Sequence, residues 1–415
     1  MPFTFLHAAD LHLDTPFADV SGFPEHVGDA LREASLQAWT ALVDEASRRR
    51  VGFVVLAGDI YDGAVRGLRA QRAFLEGVSR LADEGIRTLL VHGNHDPVAE
   101  GWTAVRAFPD LVTTFPAHGV ATEAFEVGDE QVFVHGTSYA VAATSENLAQ
   151  RYPVASGGGF HVGLLHANVG GASTGHADYS PCTLDDLRRT GYQYWALGHV
   201  HGRRVLCDGE PWVVYPGNLQ GRSTKPTEQG AKGAVVVAVD NGVATEPELV
   251  ALDRVRFVDL DLSIAPYSEL GSLLDQLEAL ADPHAHQGRS LVVRANLTGA
   301  GPLHEQLLAP ARRAEVLDEL RRRGSERHPF VWWQSVAWRT RATVEVVDLH
   351  QRDDFAADLL RTCEAADARA RGSWNEALPA DLLRELGDLL PDGSDDTIWA
   401  AAQAAAFEAI SGAGT

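Results

Sequence analysis

Short apolar runs alternate along the chain with helix-periodic stretches, and the apolar runs stop abruptly at charged or amide side chains. Five consecutive apolar residues, Phe53 to Ala57, predict a short buried strand that Gly58 ends just before Asp59. Residues 3–9 predict an earlier strand that delivers Asp10 and His12. Between the two, Leu31, Ala34, Ala38, Leu42 and Ala46 recur on one helical face. They predict a helix over 29–50, with Arg48, Arg49 and Arg50 at its negative end. A second helix over 71–83 leads to a strand at 88–91, which runs into His92-Gly93-Asn94-His95-Asp96. Strand, helix and strand joined by short turns imply a layered α/β core.

Further strands are predicted at 131–134, 162–165, 194–197, 212–215 and 234–239. The second of these ends at His166 and the third in Gly198-His199-Val200-His201. A helix after Pro181 carries Thr183 as N-cap, Asp186 three residues on and Gly191 at its close. Ser156-Gly157-Gly158-Gly159 reads as a loop with no phosphate-loop lysine after it. Beyond residue 250 a strand at 257–262, a helix at 269–280, a strand at 290–297, a helix at 303–323 and a strand at 335–347 predict a small α+β domain. From Asp353 the chain reads as mostly helical, with a break at 391–396 and an alanine-rich helix near 397–410. The expected division is therefore 1–250, 251–350 and 351–415.

Composition narrows the class. The chain has 415 residues, 45% hydrophobic and 22% charged, as soluble globular proteins do. No apolar run approaches the ~20 residues of a membrane helix, and the start lacks the basic region and cleavage site of a signal peptide. Cys182, Cys207 and Cys363 show no metal or disulfide spacing; they read as small buried hydrophobes in a reducing cytoplasm. A net charge of −22 is wrong for holding nucleic acid by bulk electrostatics. A phosphate-bearing substrate would have to be held by a local site or by metal charge.

Asp10 and His12, Asp59, Asn94 with His95 and Asp96, His166, and His199 with His201 all follow predicted strand ends. Each offers nitrogen or oxygen and none is a thiolate, a donor set that suits manganese, iron or zinc. A lone histidine at a strand end is ordinary. Such donors at five strand ends are not. Asp59 can offer one carboxylate oxygen to each of two ions.

In chain order these elements are Asp-x-His, Gly-Asp, Gly-Asn-His-Asp, His and Gly-His-x-His, which resembles the calcineurin-like metallophosphoesterase signature. The resemblance implies two β-sheets packed face to face with helices outside, followed here by a small α+β cap and a helical C-terminus. It implies one divalent ion held by Asp10, His12, Asp59 and His201, and a second by Asp59, Asn94, His166 and His199. Mn2+ is the expected ion, with Fe2+, Zn2+ and Mg2+ as alternatives. Two ions about 3.5–4 Å apart can clamp a phosphodiester and lower the pKa of a bridging water, whose hydroxide attacks phosphorus. His95, beside Asn94 but assigned to no ion, is the expected proton donor to the leaving oxygen, and Asp96 the carboxylate expected to orient it.

Residues 5–14, 191–201 and Tyr215-Pro216-Gly217-Asn218-Leu219-Gln220-Gly221-Arg222, with Glu228 and Lys232-Gly233, resemble more closely the SbcD branch, above all the YhaO-type DNA repair exonucleases. That branch implies DNA exonuclease activity, with endonuclease activity as a further expectation. It also implies a homodimer formed through the phosphoesterase domain and a coiled-coil SMC-like ATPase as partner. The helices after Asp353, with Leu359/Leu360 and Leu382/Leu383, would either dock that ATPase or pack on their own domain. Asp62 stands where some relatives carry a histidine; it is typical of the bacterial branch and could merely brace its turn. Arg222 and Lys225 are candidates for a substrate phosphate. Arg321, Arg322 and Arg323 with Trp332 and Trp333 read equally as a DNA contact or as a helix end beside core tryptophans. His7, His92 and His135 read as structural. The alternative substrate is a small nucleotide or other phosphodiester, which the charge favours. A catalytically silent scaffold would lack ligands, and none is missing.

Overall fold

The computed structural model describes residues 2–15, 23–63, 67–99, 107–170, 179–342 and residue 361. Strand β1 (Phe3–Ala8), helix α1 (Glu25–Arg49), β2 (Phe53–Ala57), α2 (Leu68–Asp83) and β3 (Arg87–Val91) follow in that order. Then come β4 (Val112–Thr114), β5 (Ala121–Val127), β6 (Glu130–Gly136), β7 (Phe160–His166), α3 (Leu184–Arg188) and β8 (Tyr194–Gly198). β9 (Arg204–Cys207), β10 (Trp212–Tyr215), β11 (Gly233–Asp240), β12 (Val243–Ala244) and β13 (Glu248–Ala251) complete the strands before the pattern changes.

The strands make two sheets. One runs β12-β11-β1-β2-β3-β4 with β13 also on β11, the other β5-β6-β7-β8-β10-β9. β1, β2 and β3 are parallel neighbours, as are β6, β7 and β8, so their carboxyl ends share a rim in each sheet. Phe5, Phe53, Leu89 and Val235 of the first sheet pack against Val132, Phe160, Val162, Tyr194 and Val214 of the second in one buried cluster. That is the face-to-face sandwich. Leu42, Ala46, Phe74 and Val78 of α1 and α2 cover the outer face of the first sheet with Leu6, Val54 and Leu90. β2 has all five side chains buried because one face meets the helices and the other meets the second sheet, hence its unbroken apolar run.

Arg48 and Arg49 at the end of α1 pair with Glu45, and Arg49 also with Glu248, while Arg50 takes the left-handed cap at φ 53°. The α3 capping box is present, with Thr183 and Asp186 bonded reciprocally.

The remaining elements are β14 (Val255–Ser263), α4 (Leu270–Ala281), β15 (Ser290–Ala300), α5 (His304–Leu308), α6 (Pro310–Ser325) and β16 (Val331–Arg341), and the three strands form one sheet in the order β14-β15-β16. The single helix expected over 303–323 is two, because Ala309 is extended and Pro310 opens a new helix. The chain clusters into two compact units, one of 1–259, 281–293 and 321–334, the other of 260–280, 294–320 and 335–415. Within the second, Asn296 bonds Asp261 at 2.8 Å, His304 bonds Thr340 at 3.0 Å and the Arg313 guanidinium lies 5.6 Å from the Trp338 ring centre. Within the first, Trp332 and Trp333 are buried, and Arg321 donates to the Trp333 and Gln334 carbonyls while lying over Trp332. Both tryptophans are thus packed in the core. The expected strand past residue 342, the leucine pairs after Asp353, the alanine-rich helix and Cys363 lie outside the described residues. Among the described residues no helix is long and apolar enough to cross a membrane.

Candidate metal centre

The turns after the parallel strands are stitched together by backbone. Asp10 N–H donates to the Gly58 carbonyl and His12 N–H to that of Asp59, both at 3.0 Å. Asp10 (φ 52°), His12 (43°), Asp59 (52°) and His199 (103°) all sit in left-handed backbone that non-glycine residues avoid. Each such position costs about 1–3 kcal/mol and persists only where its surroundings enforce it. The glycines beside the motif residues have a steric reason. A Cβ on Gly93 would stand 2.2 Å from Asp59 Oδ1, and one on Gly198 1.8 Å from the Ala57 carbonyl oxygen.

Three predicted donors from two segments, Asp10, His12 and His201, bring ligand atoms within 4.8 Å of one another; so do Asp10, Asp59 and His166, from three. His199 is in neither group, though its ring centre lies 5.3 Å from that of His166 and its backbone N–H donates to both Asp10 oxygens at 3.1 Å. Asn94 Oδ1 lies 3.0 Å from His166 Nε2. Asp59 fixes one oxygen on the His95 N–H at 2.9 Å and leaves Oδ2 between His166 Nε2 at 3.4 Å and His12 Nε2 at 3.9 Å.

Tautomers follow from the outer partners. His166 Nδ1 faces the Ala57 carbonyl at 2.9 Å and His201 Nδ1 faces Glu228 Oε1 at 2.6 Å, so Nδ1 carries the proton in both. Both Nε2 atoms are then bare lone pairs turned into the site, and that of His166 faces two oxygen acceptors. His166 Nε2 meets Asn94 Oδ1 and Asp59 Oδ2, and His201 Nε2 meets His12 Nε2 at 3.3 Å. Converging lone pairs in a buried site repel unless a cation lies among them. Burial, then the negative Asp96 nearby, pushes Asp59 up to about 7, and burial raises Asp10 as well. Carboxylates held so unfavourably are what a cation would relieve. The donor set fits divalent ions.

His95 requires a correction. The carboxylate on its Nδ1 is Asp62, at 2.5 Å, not its neighbour Asp96. Asp96 instead accepts from the N–H groups of Ile60 at 2.9 Å and Gly93 at 2.8 Å and faces His92 Nδ1 at 3.2 Å. It braces the Asp59 turn against the Gly93 turn. Adjacent residues in a tight turn point apart, so chain neighbours were the wrong guide. Asp62 also takes Arg222 Nη1 at 2.9 Å. Burial alone would raise Asp62, but the His95 hydrogen bond and the Arg222 charge outweigh it and hold it at about 2. The same bond raises the His95 pKa against the effect of burial.

The block from Tyr215 to Lys232 also finds its reason here. Asn218 and the Arg222 N–H hold Glu228, which holds His201. His7, by contrast, is buried between the Tyr194 hydroxyl and the Leu197 carbonyl, a structural residue, as expected.

Residues 3–203 match the calcineurin-like phosphoesterase family, and residues 257–341 the family described as the middle domain of metallophosphoesterase YhaO. Over 332 residues the chain is 36% identical to uncharacterized metallophosphoesterase YhaO of Bacillus subtilis, covering 79% of this chain and 80% of that one. It is 29% identical over 228 residues to the DNA double-strand break repair protein Mre11 of Aeropyrum pernix, covering 52% of this chain and 53% of that protein, about half its length. To the Thermoplasma acidophilum protein of the same name it is 25% identical over 282 residues, covering 66% and 70%. A solved dimetal phosphatase from Danio rerio aligns at a TM-score of 0.34 and 16% identity, over 58% of this chain and 93% of that one. At 36% identity across four-fifths of the Bacillus protein, the chain belongs to the calcineurin-like metallophosphoesterases.

Proposed function

We propose that this metallophosphoesterase hydrolyses phosphodiester bonds in DNA from its ends, with two divalent ions at the sheet rim. The observation that carries the metal part is the buried His166 Nε2, a bare lone pair facing the oxygens of both Asn94 and Asp59. Asp10, His12, Asp59 and His201 would hold one ion, and Asp59, Asn94, His166 and His199 the other. Ions bound there would neutralise the phosphoryl oxygens and draw an attacking water toward ionisation.

The chain's own part is proton transfer and orientation. Asp62 takes the Nδ1 proton of His95, which leaves Nε2 to carry the proton that the leaving oxygen needs. The His95 side chain is 40% exposed, so substrate can reach it. As the P–O bond breaks, the pair of electrons goes to the leaving oxygen, which takes the His95 proton. Asp62 keeps the ring charged and aimed. Arg222, bonded to Asp62 through Nη1, holds that carboxylate in place beside His95.

The DNA part is supported by the names of the archaeal relatives and by the 215–232 block around His201. A homodimer working with a coiled-coil ATPase belongs to the same proposal. Purified protein with Mn2+ should degrade end-labelled linear duplex DNA as well as bis-p-nitrophenyl phosphate. Turnover of the small diester with intact DNA, both alone and with the ATPase, would assign the site to small phosphodiesters.

A further inference from the structure

Two buried side chains, Glu228 and Lys232, grip His201 from opposite directions. Glu228 Oε1 takes the imidazole Nδ1–H at 2.6 Å, while its Oε2 accepts from Asn218 Nδ2 at 2.7 Å and from the Arg222 N–H at 3.0 Å. Lys232 Nζ donates to the His201 carbonyl at 2.7 Å and to that of Thr227. Ring and backbone of one ligand are thereby fixed by groups that touch no reacting atom.

His166 has a different backing, the neutral carbonyl of Ala57 at 2.9 Å. A carboxylate acceptor pushes negative charge into an imidazole far more than a carbonyl does, so His201 Nε2 is the stronger donor to a cation. Charge points the same way. Asp10 and Asp59 lie within reach of both sides, and the His201 side alone has the carboxylate of Glu228 behind its imidazole. Across the site, His166 Nε2 meets the uncharged amide oxygen of Asn94 at 3.0 Å and the shared Asp59 Oδ2 at 3.4 Å, with a neutral carbonyl behind its ring.

We infer that the two ion sites are unequal by construction. The site of Asp10, His12, Asp59 and His201 fills first, and Glu228 is the positioning residue that gives it the higher affinity. The inference rests on the two-metal reading above and adds an order to it. At limiting metal the chain holds one ion, on the His201 side, and the His166 side fills only as the metal concentration rises.

The test is calorimetric titration of the metal-stripped full chain with Mn2+, with bound ion followed by electron paramagnetic resonance. Wild type should take two equivalents, the first at least about tenfold tighter. His166→Gln should keep the tight event and lose the weak one. Glu228→Gln preserves shape and should weaken the tight event about 10–100-fold, the usual effect of removing a ligand's outer partner, and leave the weak one unchanged. A carboxylate that only stabilised the fold would lower Tm without separating the two events. Should Glu228→Gln not fold, Asn218→Ser frees Oε2 and is expected to give a smaller loss at the same event. Two equal sites in wild type, or a loss confined to the weak event, overturns the inference and leaves the two-metal reading standing. If wild type binds no manganese, both fall.

Discussion

Replacing Asp62 with asparagine tests how the leaving oxygen is protonated. The variant keeps the side chain's size but removes the charge facing His95 Nδ1 at 2.5 Å and Arg222 Nη1 at 2.9 Å. A hydrogen bond to a charged partner contributes about 1.5–3 kcal/mol, against about 1 for a neutral one, so the difference is roughly 1–2 kcal/mol. With the His95 side chain 40% exposed, solvent screening puts the effect at the low end, roughly fivefold in rate. His95→Ala, which removes the acid itself, should cost about a hundredfold or more. The assay compares linear DNA with bis-p-nitrophenyl phosphate, whose nitrophenolate departs without needing a proton. Both variants should be slow on DNA and near wild type on the small diester, with two bound ions. The Asp62 hydrogen bond raises the His95 pKa, so its loss moves the alkaline limb of DNA hydrolysis to lower pH. Equal losses on both substrates, or an unmoved alkaline limb, would refute the reasoning.

Gly93→Ala places a Cβ 2.2 Å from Asp59 Oδ1 and 2.8 Å from His166 Cε1, and should abolish manganese binding while the circular dichroism of the fold survives. Asp96→Ala strips the Ile60 and Gly93 N–H groups of their acceptor; it should cost roughly 2–4 kcal/mol in denaturant unfolding and slow both substrates alike, unlike Asp62→Asn. Burial lowers the His7 pKa to about 3 from an ordinary 6.5, so its native form is neutral. Its contribution is complete above pH ~6.5 and is lost as pH falls toward 3, by on the order of 4 kcal/mol. Compared with His7→Gln, wild type should therefore lose its stability advantage between pH 7 and 4.5, and a constant difference would count against it.

Much of the sandwich was legible because its central strands are short runs buried on both faces and closed by glycine. Phe53–Ala57 is the plain case. β5 was not legible, since only Phe125 among its seven residues is buried and an edge strand needs little apolar pattern. β9 and β13, with no fully buried residue, escaped for the same reason. In the site, ligand positions follow from strand ends, which a sequence displays. Their supporting partners do not. Asp62 reaches His95 across 33 positions and Arg222 reaches Asp62 across 160, separations that only the folded sheet rim closes. Glu228 was visible as part of a motif but not as the partner of His201, because the turn that joins them is set by the strands between.

β1 lies between β2 and β11, so a strand made early is completed by one that begins at residue 233. At roughly 5–20 residues per second, synthesis leaves β1 without that neighbour for about 10–50 s. His201 and its clamp, Glu228 and Lys232, emerge just ahead of β11, while Asp10 and His12 emerge first. A nascent chain therefore lacks the last two proposed donors, His199 and His201, until shortly before the strand that closes the sheet is made.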